Sequence, residues 1–172
     1  MCRVLLPFAA ILAALTLAAP ATGQYESEKL APVASVFAMG PVSVMCSTPA
    51  EGASLYFAWG YVYLFSTEIN MTAYLCAAAE RVADPFVGMS VRALAVMVLV
   101  HEAFHLRKSW SARGDEAKVQ CKAIRHFRYA AMMLGASPEL ATQLRAYALV
   151  HHWRIAALIP EYHLEKCRVP RP

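Results

Sequence analysis

Three residues in "VLVHEAFHLRKSW" (Val98–Trp110) could do chemistry together: His101, Glu102 and His105. On a helix, positions four apart lie on one face, about one turn from each other. His101 and His105 can therefore offer two ring nitrogens to one metal ion, each roughly 2.0–2.1 Å away. Glu102 is rotated by about 100° from His101. It is badly placed as a third ligand on that face, but well placed to take a proton from a water beside the metal. The H-E-x-x-H spacing thus has a mechanical reason. By chance it would arise in roughly one of a hundred chains of this composition. The plain alternative is a histidine pair and a glutamate satisfied by hydrogen bonds on a helix surface.

The third ligand is to be sought just downstream. "GDEAKVQCKAIRHF" places Glu116 eleven residues after His105, at the start of the next predicted helix. A helix N-terminus favours an ionised carboxylate. Asp115 is the rival ligand, although it also sits where an N-cap belongs. His126 is too far along its helix to share the ion. Tyr129, Tyr147, His151 and His152 are candidate hydrogen-bond donors to a substrate carbonyl, with a packing or surface role as the alternative for each.

Elements must hold these groups. Val42–Cys46 alternates as a short strand does, and Leu55–Ile69 reads as two short strands or a bent hairpin, split at Gly60. Asn70 could cap a helix running to about Val82, before the break at Asp84-Pro85. Ser90 could cap the motif helix, expected from Val91 to about Ser109. Asp115 opens a helix over 116–134 that stops at Gly135. Ser137-Pro138 starts the last helix, which ends near Leu158. The expected class is α+β and predominantly α: a small N-terminal sheet or hairpin, then a helical body. Trp110, Met132, Met133 and Trp153 read as core residues, and Lys118, Lys122 and Arg125 as a solvated face.

The chain has 172 residues, which fits one domain. It begins Met1-Cys2-Arg3, and the apolar run Val4–Ala19 followed by Pro20-Ala21 reads as an export signal over 1–21. A retained N-terminal anchor is the alternative. Residues 22–40 read as a loose mature N-terminus and 41–172 as the single domain. No later segment has the ~18 unbroken apolar residues of a membrane span. The formal charge of +4 is too mild to indicate nucleic acid. Beyond the signal, Cys46, Cys76, Cys121 and Cys167 form an even set, which in an exported chain favours two disulfides. Of the three pairings, Cys46–Cys76 with Cys121–Cys167 is the one adopted. No C-x-x-C spacing suggests a cysteine metal site.

"HEAFH" resembles the active-site helix of the zincin metallopeptidases. Ser111 stands where metzincins carry a third histidine, so the resemblance is to the gluzincin branch, which takes a glutamate from a following helix. With "RHF", "LGAS" and "PEYHLEKC" the chain also resembles small secreted bacterial proteins with an H-E-x-x-H helix. It implies a zincin-like domain with one Zn²⁺ on His101, His105 and Glu116, Glu102 as general base, and a peptide or protein substrate. In zincins the edge strand of the sheet holds extended substrate, and Leu55–Ile69 is the matching segment. The spacing from His105 to Glu116 is shorter than in the large gluzincins, which calls for a tight turn through Arg113-Gly114. A non-catalytic secreted binding or structural protein that keeps the fold is the alternative. Oligomeric state is not readable from the sequence.

Overall fold

The computed structural model describes residues 23–47, 60–63, 66–107 and 115–158. Their order is β1 (Tyr25–Glu26), α1 (Leu30–Ala38), β2 (Ser43–Ser47), β3 (Gly60–Val62), β4 (Glu68–Thr72), α2 (Ala73–Glu80), α3 (Met89–His105), α4 (Glu116–Met133) and α5 (Pro138–Leu158). The class is α+β and mainly helical, with the small sheet first, as the sequence predicts. No helix among the described residues is long and apolar enough to cross a membrane.

The sheet order is β1-β2-β4-β3. β2 and β4 are parallel, while β1 and β3 run antiparallel to their neighbours. Alternation puts Val44, Cys46, Ile69 and Met71 on one buried face. α3 packs against β3 and β4 and against every other helix, so it is the central element of the core. Its run from Ala95 to Phe104 is buried throughout, which explains why the sequence there is apolar on all sides apart from His101 and Glu102.

Several boundaries differ from the sequence reading. Leu30–Ala38, expected within a loose N-terminus, is a helix with Leu30, Val33, Ala34 and Phe37 buried. Pro32 is tolerated because it falls in the first turn, where the backbone N–H has no helical partner. Ser27 Oγ supplies one missing acceptor, taking the Leu30 N–H at 3.2 Å. Asn70 is not a helix cap. It lies in β4, opposite Met45 of β2, and Thr72 caps α2 by accepting from the Leu75 N–H. α3 starts one residue before Ser90, behind Gly88, and ends at His105 rather than near Ser109.

Asp115 does cap α4, accepting from the Lys118 N–H at 3.1 Å, and Ser137 caps α5 through the Leu140 N–H at 3.2 Å. Gly135 has φ +108°, the backbone state that stops α4 there. Met132 and Met133 are exposed rather than core, and Trp153 is half-buried. The Cys46–Cys76 disulfide is present and joins β2 to α2. Cys121 is also disulfide-bonded; Cys167, its expected partner, lies outside the described residues, as do Trp110, Ser111, Arg113-Gly114 and residues 1–21, the stretch read as an export signal.

Candidate metal centre

His101 and His105 occupy the last turns of α3, and Glu116 the first position of α4. The end of one helix thus meets the start of the next. Partial negative charge at a helix C-terminus favours a cation beside His105, and the N-terminus of α4 favours an ionised Glu116. His101 is buried, and Glu116 is the most accessible of the three.

The three side chains converge. His101 Nε2 is 3.0 Å from Glu116 Oε2 and 3.0 Å from His105 Nε2, and His105 Nε2 is 3.4 Å from Glu116 Oε1. One ligand atom from each lies within 4.8 Å of the others, a group that could hold a metal ion. Donors held 2.0–2.1 Å from one tetrahedral ion sit about 3.4 Å apart. The observed separations match that figure to within a few tenths of an ångström.

Behind His101 stands Gln120, one turn beyond Glu116 on α4. Its Oε1 is 2.7 Å from His101 Nδ1 and accepts that ring N–H. With an ion bound, that hydrogen bond would leave the His101 Nε2 lone pair for the ion, on the side of the other two ligand atoms. Three electron-rich atoms then face one point, which suits a cation there. The hydrogen bonds from His101 and His105 hold the Glu116 carboxyl well below the usual carboxylate range. Asp115 does not point there: its carboxylate caps the helix and lies 2.9 Å from Lys118 Nζ. Asp115 is extended and outside the helix, whereas Glu116 is its first helical residue.

Glu102 is buried, 8 % exposed, and burial is the main force raising its carboxyl above the ordinary range, with Glu116 adding to it. β3 crosses directly over its stem. A Cβ built on Gly60 would stand 3.2 Å from Glu102 Cγ and 2.5 Å from Val98 Cγ1. Any residue larger than glycine would push the strand off the motif helix.

The four candidate carbonyl donors stand on α4 and α5. Tyr129 is thirteen residues beyond Glu116 on the same helix, about 20 Å along its axis, and stacks edge-on against Phe37. His151 meets Ser90 Oγ at the N-terminal end of α3, eleven residues and about 16 Å from His101. His152 is fully buried, and neither ring nitrogen has a polar partner among the described residues. Tyr147 is exposed on α5, beside Arg145, which donates to the Ile124 carbonyl two turns past Glu116. His126 packs by Phe37 and Phe104, away from the ligand group as its position predicts. Gln120 beside His101 and Gly60 against Glu102 are placements that sequence reasoning did not reach. The only hint of Gln120 was its i+4 spacing from Glu116.

No family model, no curated protein and no solved structure matches this chain.

Proposed function

We propose that this protein is a zinc-dependent peptidase of the gluzincin type, with His101, His105 and Glu116 holding one Zn²⁺. The observation that carries the reading is the convergence of His101 Nε2, His105 Nε2 and a Glu116 carboxylate oxygen at 3.0–3.4 Å, with Gln120 fixing the His101 ring from behind. Two imidazole nitrogens and one carboxylate oxygen are a donor set that zinc takes in catalytic sites, and three protein ligands leave a fourth position open. When bound, the ion supplies Lewis-acid polarisation of a carbonyl and acidification of a water.

The chain's own groups account for the rest. Glu102 follows His101 in sequence, and its carboxylate takes the proton of the attacking water, then returns it to the leaving amine nitrogen. Burial of Glu102 keeps bulk water from competing for that proton. β3 stands at the end of the sheet order and abuts Glu102 through Gly60. In the family that the motif resembles, such an edge strand holds extended peptide. Export through the N-terminal signal, with disulfide formation outside the cytosol, is part of the same reading.

Glu102→Gln tests the assignment. It keeps the side-chain shape but removes the base. Hydrolysis of a quenched peptide library should fall by at least a hundredfold while bound zinc stays unchanged. Equal hydrolysis by the variant and the parent protein would refute the role given to Glu102.

A further inference from the structure

α4 carries a surface that the metal centre does not use. From Ala117 to Met133 it has Lys118, Lys122, Arg125 and Arg128 and no acidic residue. At 100° per residue, Lys118, Lys122, Arg125, Tyr129, Met132 and Met133 fall on one stripe about 100° wide. The N-terminal half of that stripe is cationic and the C-terminal half apolar. Tyr129 is 51 % exposed, and Met132 and Met133 lie open beside it.

Neighbouring elements extend both halves. Phe37 of α1 contacts Tyr129 and His126, and His126 contacts Phe104. Arg107 lies over the Phe104 ring and touches the sulfur of Met39, itself 65 % exposed. Lys122, Arg107 and Arg125 all bear on His126, and no carboxylate among the described residues opposes them there. Lys118 is paired with Asp115, whereas Lys122, Arg125, Arg128 and Arg107 make no ion pair with any described carboxylate. Isolated exposed apolar residues mean little, but a contiguous apolar strip bordered by unpaired cations marks an interaction surface.

We propose that this face docks on the surface of an anionic phospholipid bilayer. The cations meet lipid phosphates, and Tyr129, Met132, Met133 and Met39 enter the headgroup layer. Charge complementarity calls for an anionic partner. The adjoining methionines and tyrosine favour a bilayer over a soluble polyanion, because only the bilayer offers apolar depth beside its phosphates. The proposal does not rest on the metal centre.

Co-sedimentation with vesicles tests it, using the full chain, with and without a chelator. Vesicles of phosphatidylglycerol and phosphatidylcholine should bind the protein at low salt, and pure phosphatidylcholine should not. Lys122→Glu/Arg125→Glu/Arg128→Glu should weaken binding by about a hundredfold or more, at roughly fivefold per cation removed. Met39→Ser/Met133→Ser, which leaves every charge in place and alters only exposed side chains, should weaken it several-fold. Circular dichroism of each variant establishes that it is folded. Failure of the parent protein to bind anionic vesicles overturns the proposal. So does binding that is indifferent to the charge reversals. Unchanged vesicle affinity in the methionine variant, together with equal affinity for soluble heparin, would make the face a polyanion site and overturn it as well.

Discussion

Gly60→Ala is the substitution whose sign depends most directly on how β3 sits on the motif helix. In an open strand, alanine would stabilise the fold by roughly 0.5–1 kcal/mol, since glycine loses more backbone freedom on folding. Here the new Cβ would lie 2.5 Å from Val98 Cγ1, 3.2 Å from Glu102 Cγ and 3.3 Å from the Asn70 carbonyl oxygen. Carbon atoms in good contact sit about 3.5–4.0 Å apart, so the first overlap exceeds one ångström. Val98 cannot swing away cheaply, because a β-branched side chain on a helix has one strongly preferred rotamer. Overpacking of this kind costs about 1–3 kcal/mol. Val98→Ala removes the clashing methyl and leaves only the two milder contacts. Alone it costs about 1–3 kcal/mol as a core truncation. The double variant should therefore be at least about 1 kcal/mol more stable than the sum of the singles predicts. Urea unfolding of the four proteins reads all of this. A Gly60→Ala protein as stable as its parent, or strictly additive costs, would refute the close approach of β3 to α3 at Val98.

Two further predictions concern stability. Replacing Cys46 and Cys76 together by alanine opens a crosslink with a sequence separation of 30, and the loop-entropy relation gives a loss of about 3–4 kcal/mol; urea midpoints that do not move would contradict a structural role for the bridge. His152 supplies a pH dependence: burial lowers its pKa from 6.5 to about 4. The folded state keeps the ring neutral while the unfolded chain binds a proton below pH 6.5. Its contribution is thus fully present above about pH 6.5 and is lost as pH falls toward 4, by up to about 3 kcal/mol. His152→Leu should flatten that part of the stability curve. Parallel curves for parent and variant between pH 7 and 4.5 would rule the mechanism out.

Features encoded by adjacent residues were legible in the sequence. Asp115 and Ser137 announce their helices because a cap is a local hydrogen bond, and Gly135 stops α4 because its φ is positive. The i, i+4 histidine pair was legible for the same reason. α1 was not: "LAPVASVFA" has a proline, β-branched residues and an N-cap lysine that makes no cap bond. It is helical because Leu30, Val33 and Phe37 bury against α3 and β2, which local propensity cannot register. Asn70 looked like a cap and became strand because β4 pairs with β2, more than twenty residues earlier in the chain. Gly60 stood out in the sequence, but its place as the first residue of β3, against the stem of Glu102, did not. The same limit separated Glu116 from Asp115. Only the approach of α4 to α3 decides which carboxylate faces the histidines. Tyr129 and His151 stand about 20 Å and about 16 Å from the ligand group along helix axes, a separation that residue type does not convey.

The central claim is that His101, His105 and Glu116 form one zinc site braced by Gln120. The most direct test is the zinc content and affinity of the purified protein beside Glu116→Ala and Gln120→Leu. The account predicts about one tightly held zinc per chain. It predicts marked weakening on loss of the Glu116 carboxylate, and a tenfold to hundredfold weakening without the Gln120 acceptor. No zinc after reconstitution of the folded, disulfide-bonded protein would contradict it. So would binding that ignores Glu116→Ala.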